Sequence, residues 1–413
     1  MTDLPIRRNT ILLAATVAVN SATLQLVAAV SGLTFTLVTG VTSLVGLGPA
    51  LFLVSSALAS FPAGRLMDRV GRVPVLAGGF AMGALGAVLT SLGAYLSSGW
   101  VALPGFILIG AAGATGQLAR AAAGDMYPPE RRARGISYVM FGAVAGAILG
   151  PLVFAPIFKG RQLSAPALAV PWLVGGAMQL IALAIVLNIR PDPKRIAEIM
   201  EAESGRFSPS ATTSAAPLGE LLRRAGVIPA MIVGVVSYAV MVSVMNLTGY
   251  VVVQHLHHPQ DVIFPIIGAH VLGMYLLMPV VGWIVDRIGR QRALTGGLTI
   301  LAASTAGLMW FESVVPIAIL LFGLGLGWNV SFVAATTQLA NLASPAERGK
   351  LLGFNDLLAS LTGAAFVLLG GYVLDDFGLT ALALGVAVIA LAPLVVVFKS
   401  PVTSAIPAAV RQR

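Results

Sequence analysis

The stretch Gly64-Arg65-Leu66-Met67-Asp68-Arg69-Val70-Gly71-Arg72 returns as Gly282-Trp283-Ile284-Val285-Asp286-Arg287-Ile288-Gly289-Arg290. Five positions match at a constant offset of 218: Gly64/Gly282, Asp68/Asp286, Arg69/Arg287, Gly71/Gly289 and Arg72/Arg290. Each copy closes a long apolar run. The offset is just over half of the 413 residues, so the chain divides into two similar halves that use one charged device at the same place.

Composition says what lies around that device. Hydrophobic residues make up 57% of the chain and charged residues 10%, against roughly 25% charged in soluble domains. The mean hydropathy is +0.92. A chain this poor in polar side chains cannot coat itself for water, and lipid is its natural solvent. No cysteine is present, which excludes disulfides and thiolate metal sites. The net charge of +9 does not indicate a nucleic-acid partner. The basic residues sit in short turns between apolar runs and form no stripe.

A bilayer core takes about 20 apolar residues per helix. Twelve such spans are predicted, at 10–38, 43–66, 73–96, 101–125, 135–158, 167–189, 225–253, 262–285, 293–311, 314–341, 350–374 and 378–399. The first runs too far for a signal-peptide core. All Lys and Arg except Lys159 and Arg161 fall at the ends of the chain, in alternate loops, or at the matching end of span 4, where Arg120 lies. By the positive-inside bias both termini are cytoplasmic. The expected fold is an all-α membrane protein with twelve transmembrane helices in two pseudo-symmetric six-helix bundles, residues 1–189 and 225–400. Between them, 190–224 forms a cytoplasmic linker, and 401–413 a cytoplasmic tail. Within the linker, Ile196, Ile199 and Met200 at helical spacing predict a short amphipathic helix on the membrane surface. Ser208 to Pro217 is predicted to be flexible.

Twelve spans, a central linker and a doubled G-x-x-x-D-R-x-G-R loop resemble the major facilitator superfamily over the whole chain. Arg120 to Asp125 followed by Pro128-Pro129-Glu130-Arg131-Arg132-Ala133-Arg134-Gly135 is similar to the inner end of helix 4 in bacterial members. Ser344-Pro345-Ala346-Glu347-Arg348-Gly349-Lys350 is its counterpart. Gly142, Gly146, Gly150 and Pro151 resemble part of the helix 5 element of drug antiporters, with Leu152 to Ala155 where a trailing Gly-Gly would stand. The Arg common in the middle of helix 4 is missing from Phe106 to Ala114. The resemblance implies a secondary transporter that moves a small organic molecule across the inner membrane by alternating access. It also implies a gating set of Gly64, Asp68, Arg69, Gly71, Arg72 and Arg120 with Gly282, Asp286, Arg287, Gly289 and Arg290. Asp68 would face span 11 and pair with Arg120. Spans 3, 6, 9 and 12 would face lipid and the others a central cavity.

Polar residues in the cavity spans are substrate-binding candidates, because polar groups in hydrocarbon must face protein or a wet hollow. They are Asn20, Gln25, Gln117, Tyr238, Asn246, His270, Tyr275, Asn329 and Asn355. Each could equally make an interhelical hydrogen bond. Trp328, Phe332 and Phe354 are aromatic candidates, while Trp100 and Trp172, near span ends, are predicted interfacial anchors. Proton coupling needs an ionisable group that two states treat differently; Asp356 is the first candidate and His270 the second. Asp356 could instead pair with Arg348 or Lys350. Partial efflux-type features favour proton-coupled efflux, with proton-coupled or facilitated uptake as the alternative. A rival of another class is a membrane sensor or scaffold that moves nothing. An enzyme is not expected, since the chain has four His, three of them together at His255, His257 and His258. No cofactor, metal or nucleic acid is expected, and the chain should work as a monomer in lipid.

Overall fold

The computed structural model describes residues 4–128, 131–203, 216–343 and 345–399. The surroundings of Asp68, Gln117, Gly282, Asp286 and Arg290 lie outside the described residues, as do Arg348, most of the flexible stretch expected at 208–217 and the 401–413 tail. Every regular element among the described residues is helical. In the first half these are α1 (Ile6–Thr39), α2 (Leu47–Val70), α3 (Arg72–Tyr95), α4 (Gly99–Gln117), α5 (Ala119–Asp125), α6 (Arg132–Met140), α7 (Gly142–Phe158) and α8 (Ala169–Leu187). The linker holds α9 (Pro193–Glu203) and α10 (Leu218–Arg223). The second half has α11 (Val227–Tyr250), α12 (Ile263–Tyr275), α13 (Met278–Ile288), α14 (Arg290–Gly307), α15 (Val314–Leu342), α16 (Pro345–Leu391) and α17 (Pro393–Lys399).

Nine stretches among the described residues are long and apolar enough to cross a membrane. The last of them, Lys350–Phe398, contains two helices, because Gly378 at φ 80° and ψ 178° breaks α16 between expected spans 11 and 12. The remaining two expected spans are α12 with α13, and α14, whose first turn carries Arg290 and Arg292. The arrangement is thus consistent with twelve spans, though several are less continuous than expected. Span 4 breaks at Leu118 and span 5 at Phe141. Span 8 breaks before Pro279, whose ring tolerates only the first turn of a new helix.

The packing repeats with the sequence. In the first half α3 lies on α4 and α8, α2 on α4, and α1 on α7. In the second half the corresponding pairs are α14 on α15 and α16, α12 on α15, and α11 on α16. The two halves meet through α1–α11, α2–α16 and α7–α12, pairs that exchange under the same pseudo-twofold relation. The repeated loop is bent alike in both copies. Gly71 ends α2 at φ 103° and Gly289 ends α13 at φ 83°, conformations that L side chains rarely adopt.

Two expectations change here. Trp172 is no interfacial anchor: it is 1% exposed, its Nε1 donates to Thr34 Oγ1 at 3.0 Å, and it meets Phe106 edge-on at 5.2 Å. Its polar tip finds a hydroxyl inside the bundle, so water is not needed. Trp100, 87% exposed, fits the anchor reading. The linker helix forms at Pro193–Glu203, but Ile196 is fully buried, and α9 packs on α3 and α5. Part of its apolar edge is therefore covered by protein and not by lipid.

Candidate functional site

The halves are pressed together at one end and parted at the other. At the end away from the termini, Gly249 of α11 is so close to α1 that any side chain would overlap the Ala29 carbonyl oxygen. Gly46, just before α2, is equally close to the Val367 carbonyl of α16. A Cβ on Gly268 would stand 2.8 Å from the Ala147 oxygen and 3.0 Å from Pro151. Phe264 stacks on Phe154 at 5.5 Å and lies 5.2 Å from Phe158. Thr42 Oγ1 donates to Asp375 Oδ1 at 2.7 Å across the same seam. Backbone contact of this kind is available only to glycine and gives dense dispersion packing.

At the end bearing the termini, a Cβ on Gly64 or on Gly353 would meet nothing within 4 Å. Leu58 and Phe61, on the same half of α2, are each 66% exposed. One ion pair crosses between the halves there among the described residues. Arg120 NH2 lies 3.5 Å from Asp356 Oδ2, with the side chains 48% and 44% exposed. The halves therefore enclose a wedge that opens on the terminal face.

Several predicted residues line this wedge. Tyr238 lies in the electrostatic field of Asp356, Tyr275 and Arg120. One space therefore collects residues of α5, α11, α12 and α16. Tyr275 stands edge-on to Trp328 at 6.5 Å, and Trp328 stacks on Phe332 at 5.0 Å. Asn20, partly buried, lies against Gly116.

Other candidates are drawn into packing. Gln25 Nε2 donates to the Gly146 carbonyl at 2.7 Å, tying α1 to α7. Asn246 bonds its own helix through the Val242 carbonyl at 2.7 Å. His270 is fully buried, with Nδ1 2.9 Å from the Leu321 carbonyl, and so joins α12 to α15 away from Asp356. Asn355, 1% exposed, packs beside Gly234, so its neighbour Asp356 alone of that pair reaches the wedge. Asn329 is likewise 1% exposed. Of the outer-loop histidines, His258 is held by the Glu312 carbonyl at 2.5 Å.

The loop device has partners that sequence reasoning missed. Arg120 meets Asp356; the Asp68 pairing that the resemblance implied falls outside the described residues. Arg72 Nε instead donates to Asp125 Oδ2 at 2.6 Å. Asp192 accepts from the backbone N–H groups of Arg72 at 3.1 Å and Val73 at 2.8 Å, and from Lys194 at 2.9 Å. One carboxylate thus caps both α3 and α9, satisfying amides that a helix start leaves unpaired. A Cβ on Gly71 would lie 2.8 Å from that carboxylate, so glycine there provides room as well as a turn. The signal was present: Asp immediately before Pro193 is an N-cap pattern.

The other end of the linker is held in a similar way. Arg224 makes a two-pronged bond to Glu347, at 2.8 and 2.9 Å, and a third to the Leu342 carbonyl. The hydrogen bond to Glu347 raises the Arg224 pKa above its ordinary value. Burial opposes that rise, and the charges of Glu347 and Glu220 add to it. Lys350, an alternative partner for Asp356, bonds the Ala216 carbonyl instead.

Known proteins share this architecture. The xylose transporter XylE from E. coli, solved inward open, superposes with a TM-score of 0.74 at 13% identity, over 97% of this chain and 98% of that one. A POT family transporter in complex with 5-aminolevulinic acid gives 0.72 at 14% identity, over 96% and 97%. In sequence, the MFS-type transporter YdeG of Bacillus subtilis (strain 168), itself described as uncharacterised, is 33% identical over 86% of this chain and 84% of its own length. The riboflavin transporter RfnT of Brucella anthropi is 29% identical over 90% of each. The profile of the Major Facilitator Superfamily matches residues 10–327 and 231–412. On these matches, and on a helical architecture folded in the same way, the chain belongs to the major facilitator superfamily of transporters.

Proposed function

We propose that this chain is a secondary transporter carrying a small, largely neutral organic molecule across the inner membrane, with both termini in the cytoplasm. The halves rock so that the wedge faces each side in turn. One observation carries this reading: a seam of backbone contacts at one end, and at the other a wedge spanned, among the described residues, by the half-exposed pair Arg120–Asp356. In the opposite state the parted ends of α2 and α16 close on each other. Asp68, Arg69 and their repeat partners Asp286 and Arg287 then help to hold the gate. Asp356 carries the coupling proton, because closing the wedge changes the surroundings of its carboxylate.

The glycine-proline face of α7 favours efflux. Gly142 and Gly146 press on the carbonyls of Ala14 and Ala18, and Gly150 on Gln25, so this face packs closely on span 1. The similarity to a riboflavin transporter makes riboflavin a candidate solute for either direction, uptake included. The chain acts as a monomer.

Reconstituted vesicles with an imposed pH gradient test all of this, with riboflavin and chloramphenicol as uncharged tracers. Gradient-dependent movement of either tracer, abolished by a proton ionophore, is expected, and its direction decides between export and import. The Asp68→Asn variant should insert normally and transport poorly. If neither tracer moves under any gradient, and a broad panel of solutes also fails, the sensor or scaffold reading replaces this one.

A further inference from the structure

A row of rings leads inward from the charged pair. Tyr238 and Tyr275 share the field of Arg120. Tyr275 meets Trp328 edge-on, with 70° between the planes, and Trp328 stacks on Phe332 at 25°. Tyr238, Tyr275 and Phe332 each keep part of their surface uncovered, although they lie deep in the spans. Trp328 is 9% exposed, and its Nε1 has no hydrogen-bond partner among the described residues. The Nδ2 of Asn329, next to it, is also unpartnered there. Two buried donors beside an aromatic row lack acceptors that the protein would normally supply.

Charge narrows the ligand further. Arg120 and Asp356 already neutralise each other at the mouth. The mouth therefore presents no net charge for a strongly charged ligand to pair with, which suits a neutral or zwitterionic one. Aromatic faces stack on any flat π-system, and edge-on tyrosines fix its plane.

We propose that Tyr275, Trp328 and Phe332 form a shelf for a flat heteroaromatic ring. The ligand has no net charge. Its ring extends the stack at Phe332, and its polar remainder points to Arg120 and Asp356. This rests on the reading that the wedge is the substrate's path.

Calorimetric titration of the detergent-purified full-length protein tests it. The two probes are lumichrome, a flat tricycle with carbonyl and ring-nitrogen acceptors, and ribitol, a polyol without a ring. Lumichrome should bind and ribitol should not. Loss of one stacking partner in Trp328→Leu or Phe332→Leu should weaken lumichrome about tenfold. Trp328→Phe, which keeps a ring and loses the N–H, should weaken it less. Phe332 is partly exposed, so its variant carries the test if the Trp328 changes unfold the protein. Absence of lumichrome binding, or unchanged affinity in Phe332→Leu, overturns the shelf, even where vesicles still transport another solute. Lumichrome binding without transport of any solute would support the shelf and sink the transport reading.

Discussion

The sealed end and the open end of this protein are made of different materials. At the seam, helix backbones touch through Gly46, Gly249 and Gly268, and aromatic rings fill the gaps. At the mouth, among the described residues, one pair at 3.5 Å with half-exposed side chains spans the opening. Close packing is short-ranged, and a small displacement forfeits much of it. A solvated ion pair is worth roughly 0–1 kcal/mol. The difference shows how a transporter can be firmly shut on one side while keeping the other side responsive to a ligand or a proton.

Disturbing the seam should have the largest effect. Gly249→Val drives methyl groups into the Ala29 carbonyl, an overpacking that costs about 1–3 kcal/mol in a core. Transport should be lost. Because the chain has no native cysteine, a single cysteine introduced at Thr42 reports the seam directly, and it should react faster with a membrane-impermeant thiol reagent in the variant. Equal reactivity with and without the valine would mean that the seam is not what seals this end.

Asp356→Asn at the mouth should do less to the fold and more to coupling. Breaking a half-exposed pair should change stability by under about 1 kcal/mol, while gradient-driven transport disappears and exchange down a concentration gradient survives. A thermal melt paired with both transport modes checks this. Retained pH-driven accumulation would move the proton elsewhere.

Asp192→Ala removes the shared cap behind the loop device. A lost N-cap costs about 1 kcal/mol, up to roughly 2, and the carboxylate serves two helix starts here. The variant should melt several degrees lower with its ligand affinity unchanged. Asp192→Asn, which keeps acceptor oxygen, should recover part of the loss.

Gly64→Ala should be the mildest, within about 0.5 kcal/mol, because a methyl group there meets nothing in the open state. If α2 and α16 close on each other during the cycle, the same change should slow turnover while leaving binding at the open mouth intact. Wild-type turnover would show that the two helices stay apart around Gly64.

Much of the fold was legible because lipid imposes a simple rule, an apolar run long enough to cross. The repeat at offset 218 supplied the pseudo-symmetry, and φ at Gly71 and Gly289 agrees with it. The interruptions at Leu118 and Phe141 left no trace, since hydropathy is blind to a local change in hydrogen bonding. Trp172 misled for a related reason: nearness to a span end does not say which way an indole points, and Thr34 drew it inward. Site residues were legible by type and not by partner. Arg72 with Asp125, Arg120 with Asp356 and Arg224 with Glu347 are each pairs distant in sequence. Gln25 and His270 looked like ligand contacts until the carbonyls of Gly146 and Leu321 came into view.

The double cap at Asp192 and the grip of Glu347 on Arg224 fasten each end of the interdomain tether to its own bundle. The segment between Glu203 and Ala216 is about a dozen residues long, and any chain of that length can span roughly 40 Å at full extension. That leash is long compared with the stroke of two helical bodies tilting in a bilayer about 30 Å thick. How far the machine can swing is therefore decided inside the membrane, where the bundles touch.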